Sequence, residues 1–136
     1  MMIPRAMYLD DDADSCEVMQ ILLVSSIPGL VVESMMCGSE AINKANERPF
    51  DVYILDAKIP GVDGFDVCRS IRERDKHVPI YFYTGLGSNA DRELAVESGC
   101  TAFLIKPNDM DDLIKRVTDV VLQANDQSSE FSAFMS

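Results

Sequence analysis

The residues of this 136-residue chain that could do chemistry stand directly after short apolar runs. Asp10 and Asp11 follow Ala6 to Leu9, and Asp56 follows Val52 to Leu55. Thr84 follows Ile80-Tyr81-Phe82-Tyr83, and Lys106 follows Ala102 to Ile105. Brought together, the three carboxylates would repel one another unless a cation or protons offset them. An oxygen-only site with few carboxylates suits Mg²⁺, which keeps some water and completes its shell with phosphate oxygens. Lys106 adds a compact positive charge and Thr84 a hydroxyl donor. The set therefore favours an incoming anion with several oxygens, such as a phosphoryl group. Asp56 is the best nucleophile candidate, because it stands alone at its run's end while Asp10 and Asp11 act as a pair.

These residues meet only if the apolar runs are strands lying side by side. The pattern between them supports this. Val18, Met19, Leu22 and Leu23 recur at helical spacing up to Pro28-Gly29. Leu30 to Met36 reads as a second strand, and Ala41, Ile42 and Ala45 fit a short helix ending before Pro49. Phe65, Cys68 and Ile71 mark a third helix with its arginines outward, and a more polar fourth helix covers about 90–98, with Gly99 as its C-cap. Asn108 or Asp109 can cap a last helix whose apolar stripe is Leu113, Val117, Val120, Val121 and Ala124. Strict alternation of strand and helix implies parallel strands with right-handed crossovers. Continuous apolar strands imply a sheet covered on both faces. An eight-unit barrel needs roughly 250 residues, so the chain reads as α/β, a doubly wound five-stranded parallel sheet. In such a sheet ligands bind beyond the carboxyl ends of the strands, the edge where all these polar residues fall.

Composition limits what the site can serve. Lys and Arg number 12 and Asp and Glu 23, a net charge of −11. That argues against direct nucleic-acid contact, which needs a basic face, and against anionic membranes. No apolar run approaches the ~18 residues of a membrane span, and the N-terminus does not read as a signal peptide. Cys16, Cys37, Cys68 and Cys100 are widely spaced with no C-x-x-C pair. They are expected as reduced thiols packed like small hydrophobes in a cytoplasmic protein. Asp12 and Asp14 read as a helix N-terminal acid cluster, His77 as a solvated loop residue, and Met35-Met36 as strand and core. One domain over 5–124 is expected, with 125–136 as a flexible tail. Phe131, Phe134 and Met135 in that tail have the spacing of a short docking helix.

Five motifs in order carry a family resemblance: Asp10-Asp11, Asp56 in YILDAKIPGVDGFDV, Thr84 in YFYTG, Phe103, and Lys106-Pro107 in AFLIKP. Over roughly residues 5–124 the chain resembles a response-regulator receiver domain of two-component signalling. The resemblance implies the flavodoxin-like (βα)5 fold with strand order 2-1-3-4-5. It implies that Asp56 takes a phosphoryl group from a sensor histidine kinase or a histidine phosphotransfer protein. It implies Mg²⁺, or Mn²⁺, held by Asp11, Asp56 and the backbone carbonyl of Lys58, with Asp10 acting largely through water. Lys106 would pair with Asp56 and then with a phosphoryl oxygen, Thr84 would bind the phosphoryl group, and Phe103 would move inward behind it. A cis Lys106-Pro107 bond is expected.

Some positions depart from the family pattern. Phe103 stands where many relatives carry Tyr, so no hydroxyl can report to a partner. Ile59 replaces the usual Met before Pro60. Lys58 and Leu86, two residues beyond Asp56 and Thr84, occupy positions that tune how water reaches the acyl phosphate. With 12 residues after Ala124, the expectation is a stand-alone receiver like the chemotaxis regulators. It would not be a turnover enzyme, and its output protein would dock on the face of the fourth helix, fifth strand and fifth helix. Alternatives are a phosphate-shuttle receiver in a phosphorelay, or a receiver excised from a larger hybrid kinase or regulator. A haloacid-dehalogenase-type phosphatase would need an acid at position 58, where Lys58 stands. A flavodoxin-like electron carrier would need a Ser/Thr/Gly phosphate loop where Asp10, Asp11 and Asp12 lie.

Overall fold

The computed structural model describes the backbone of residues 3–85 and 87–135, and side chains through Ala124. Five strands alternate with five helices: β1 (Arg5–Leu9), α1 (Ala13–Ser26), β2 (Val31–Met35), α2 (Gly38–Glu47), β3 (Val52–Leu55), α3 (Gly64–Arg74), β4 (Ile80–Thr84), α4 (Asn89–Ser98), β5 (Ala102–Ile105) and α5 (Met110–Met135). All pairings are parallel and the order is β2-β1-β3-β4-β5. The expected fold class and strand order hold.

Strand parity divides the core into two layers. Met7, Leu9, Tyr53, Leu55, Ile80 and Phe82 face one way and pack with Ala41, Phe65, Val67, Cys68, Ile71 and Ala95. Ala6, Tyr8, Val52, Ile54, Tyr81 and Tyr83 face the other way and pack with Met19, Leu23, Leu113, Val117 and Val121. This two-sided cover is why the strands are apolar at successive positions rather than at alternate ones. Each fully buried large side chain, such as Ile54 or Leu113, contributes about 1.5–3 kcal/mol.

Local signals set the helix starts. Asp12 caps α1, accepting from the Asp14 N–H at 3.3 Å and the Ser15 hydroxyl at 2.7 Å. Asp63 and Asp66 form a capping box at α3, and Ser88 and Asp91 form one at α4. Asp109 stands immediately before α5, its carbonyl accepting the Leu113 N–H at 2.9 Å. Its carboxylate turns back to accept the Ile105 N–H at 2.8 Å, fixing the end of β5. The backbone of α5 continues to Met135, through most of the stretch 125–136 expected as a tail. The side chains of Phe131, Phe134 and Met135 lie outside the described residues.

All four cysteines are free thiols, but Cys37 is exposed where a packed one was expected. It follows β2 and starts α2, so it faces the solvent at the sheet edge. Met35 is buried and Met36 exposed, as alternation past a strand end requires. His77 lies exposed in the α3–β4 loop. Among the described residues no helix is long and apolar enough to cross a membrane.

Candidate functional site

Sheet register brings the polar residues to one edge. Leu9 pairs with both Met35 and Leu55. One residue further on, the Asp10 N–H donates to the Met35 carbonyl at 3.0 Å, and the Asp56 N–H to the Leu9 carbonyl at 2.8 Å. Across the sheet the Lys106 N–H donates to the Thr84 carbonyl at 2.8 Å, and the Lys106-Pro107 bond is cis. Asp10, Asp11 and Asp56 therefore converge, each offering a carboxylate oxygen, with these atoms all within 4.8 Å of one another. Asp10 is buried, at 2% exposure, Asp56 is half-buried and Asp11 exposed.

The cation that balances them is shared. Lys106 Nζ lies 2.5 Å from Asp10 Oδ2 and 3.4 Å from Asp56 Oδ2. Its closer partner is thus Asp10, whereas the family resemblance implies pairing with Asp56. Burial would lower the Lys106 pKa, but the hydrogen bond to Asp10 and the charges of Asp56 and Asp10 outweigh it and hold the ammonium above the usual lysine range.

Tyr8 is the functional neighbour that sequence reasoning missed. Its side chain is 1% exposed, and its hydroxyl donates to Asp10 Oδ2 at 2.9 Å. Burial first, then the Asp10 charge, pushes the phenol far above its usual pKa, so it stays a donor. The Asp12 N–H donates to Asp10 Oδ1 at 3.0 Å. Asp10 thus takes donors on both oxygens. The signal was present: in a strand, residues 8 and 10 point to the same face.

The opposite wall is built from β4, α4 and β5. The Thr84 hydroxyl donates to Asp56 Oδ1 at 2.9 Å. Phe103 is half-buried, its ring centroid 6.2 Å from that of Phe82. The Arg92 guanidinium lies over the outer face of Phe103, 4.9 Å from the centroid. Lys58 Nζ is 3.3 Å from Asp91 Oδ1. Ile59 is buried, so it fills an apolar slot as Met would. Leu86 is outside the described residues.

The donor set is all oxygen and partly open, which fits a hard divalent cation. Asp11 and Asp56 are placed to offer oxygens, while Asp10, with donors on both oxygens, fits a ligand acting through water.

Comparison with known proteins identifies the family. The family model for the response regulator receiver domain matches residues 6–118. The chain is 32% identical over 129 residues to the transcriptional regulatory protein ResD of Bacillus subtilis, covering 95% of this chain and 52% of that protein. It is 34% identical over 121 residues to the probable transcriptional regulator ycf27 of Guillardia theta, covering 89% and 46%. Among solved structures it is similar to the chemotaxis protein CheY4 of Vibrio cholerae, with 27% identity, a TM-score of 0.78, and coverage of 88% of this chain and 99% of that one. The chain belongs to the response-regulator receiver family of two-component signalling. It spans about half the length of the curated relatives it matches.

Proposed function

We propose that Asp56 is the phosphoacceptor, taking a phosphoryl group from a phosphohistidine on a sensor histidine kinase or phosphotransfer protein. One observation carries this reading: a hydroxyl donor, Thr84, and a cation, Lys106, reach the two different oxygens of the Asp56 carboxylate. That is the arrangement a phosphoryl group with several charged oxygens needs. An Asp56 oxygen forms a bond to phosphorus as the phosphorus–nitrogen bond of the donor breaks, and the leaving imidazole takes a proton. The product is an acyl phosphate.

Mg²⁺, or Mn²⁺, would be held by Asp11, Asp56 and the Lys58 backbone carbonyl, with Asp10 acting through water. It would supply charge neutralisation at the transferring oxygens. Lys106 neutralises a phosphoryl oxygen and Thr84 donates to another. The new group adds about −1.5 to −2 charge. Thr84 and Phe103 are the elements that this charge biases, and they carry it to the α4-β5-α5 face where an output protein docks.

The working unit is 5–124, with 125–136 as its appended segment, in a cytoplasmic setting. It is a phosphoacceptor rather than a turnover enzyme. Relatives named as DNA-binding regulators are matched over about half their length. The acidic span described here reads as a protein-binding module.

Incubation with a small-molecule phosphodonor and Mg²⁺, followed by intact mass, tests the reading. One phosphoryl group should appear and be lost in Asp56→Ala. Steady release of phosphate from unrelated substrates, surviving Lys106→Ala, would overturn it.

A further inference from the structure

Lys58 and Asp91 are an unequal pair. The Lys58 side chain is 69% exposed and that of Asp91 is 7% exposed. Asp91 sits in the first turn of α4, where its Oδ2 accepts the Ser88 N–H at 3.4 Å and its own N–H donates to Ser88 Oγ at 3.1 Å. Burial raises the Asp91 pKa, but the Lys58 ammonium and the Ser88 N–H more than offset this and hold it below the usual range. The ammonium is thus a solvent-side strap from the loop after β3 to a buried carboxylate in α4. The next residue, Arg92, lies across Phe103, so one helical turn is tied both to the loop after Asp56 and to β5.

Lys58 is two residues beyond Asp56 on a flexible stem. At the same carboxylate, Lys106 is already divided between Asp10 and Asp56. A phosphoryl group carries about −1.5 to −2 charge and three acceptor oxygens. It attracts a mobile ammonium more strongly than a monoanion already receiving a capping bond.

We propose that Lys58 is a shared cation: it pairs with Asp91 while Asp56 is a free carboxylate, and it moves to the phosphoryl group once Asp56 is modified, loosening the first turn of α4. This rests on the reading of Asp56 as phosphoacceptor. Two acceptors competing for one ammonium are coupled, and the coupling is reciprocal. Weakening the hold of Asp91 on Lys58 must favour the phosphoryl state by the factor with which the phosphoryl state weakens that hold.

The experiment uses the full chain with Mg²⁺ and beryllofluoride, which stands in for a phosphoryl group on a carboxylate. Asp91→Asn keeps a capping acceptor but removes the charge. Lys58→Met keeps the stem and the backbone carbonyl but removes the ammonium. Asp91→Asn should bind beryllofluoride about fivefold more tightly than the parent, and Lys58→Met more weakly by a similar factor. Amide hydrogen exchange over 89–92 should rise severalfold when the parent is ligated. In Lys58→Met it should already be raised and should not rise again. A pair that only staples α4 would loosen those amides in both variants and leave both affinities at the parental value, which overturns the proposal. So does unchanged exchange in the ligated parent. Failure of the parent to bind beryllofluoride at all would instead remove the Asp56 reading, and this inference with it.

Discussion

The two walls of the pocket are held by different means. On the β1–β3 side, Asp10 is buried and takes donors from Tyr8, Lys106 and the Asp12 backbone. Those donors come from β1 itself, from the start of α1 and, through Lys106, from the end of β5, and β1 is paired on both sides. On the β4–β5 side the contacts are a single hydroxyl on Asp56, an ion pair with an exposed lysine, and a guanidinium lying on a ring. The first wall can hold concentrated charge in place. The second is built from contacts that can be exchanged at low cost. A switch needs both, since a new charge must be fixed at one side to move something at the other.

The same substitution on each wall gives the largest test of this contrast. A Cβ on Gly64 would run into the backbone carbonyl of Asp56, whose carbon is 2.9 Å away. A Cβ on Gly87 would meet ring and methyl atoms of Phe103 and Ile105 at 2.6 and 2.7 Å. Backbone cannot yield as side-chain ends can. Gly64→Ala should therefore cost about 3 kcal/mol or more, and Gly87→Ala about 1 kcal/mol, by urea unfolding. Equal costs would break the comparison.

Tyr8→Phe comes next. It removes one of three donors to a buried carboxylate, and a loss of about 1.5 kcal/mol is expected in the same assay. A neutral result would mean that Lys106 and the Asp12 N–H suffice for the first wall.

The walls should also fail at opposite ends of the pH scale. Lys106 has a raised pKa, so the stability it adds is present below the ordinary lysine value and is lost as pH rises through its folded value. Asp91 has a lowered pKa, so its contribution is present above the ordinary carboxylate value and is lost as pH falls through its folded value. Protection of the α4 amides, relative to the intrinsic exchange rate at each pH, should fall first in acid, and protection around Asp10 and Lys106 first in alkali. The smallest effect belongs to Arg92→Ala. It should cost at most about 1 kcal/mol while exposing Phe103 to solvent, which a solvent-accessibility probe by NMR would register.

Much of this was legible in the chain. Strand ends were readable because each apolar run stops at a polar residue, and topology sends every such residue to one edge. Asp10, Asp11, Asp56, Thr84 and Lys106 follow from that rule alone. Tyr8 did not, because a tyrosine inside an apolar run reads as filler until its hydroxyl is placed. The preference of Lys106 for Asp10 is a matter of distance, which spacing cannot give. Asp91 looked like one more acid on a polar helix, and only the packing of α4 buries it. Asp109 stands at the cap position of α5, yet its carboxylate is taken by the Ile105 N–H.

The contact between Lys106 and Asp10 spans 96 positions in the chain, and that has a consequence for how the molecule comes to be folded. The acids are encoded in the first 56 residues and their counter-ion near the end. Pairing β1 with β3 draws Asp10 and Asp56 together before the neutralising lysine, 50 positions beyond Asp56 and 96 beyond Asp10, has been brought in. Long-range parallel pairing is slow, and until β5 docks Asp10 and Asp56 lack the Lys106 ammonium. The carboxylates gathered at the ends of β1 and β3 thus receive the Lys106 ammonium only once the last strand has docked.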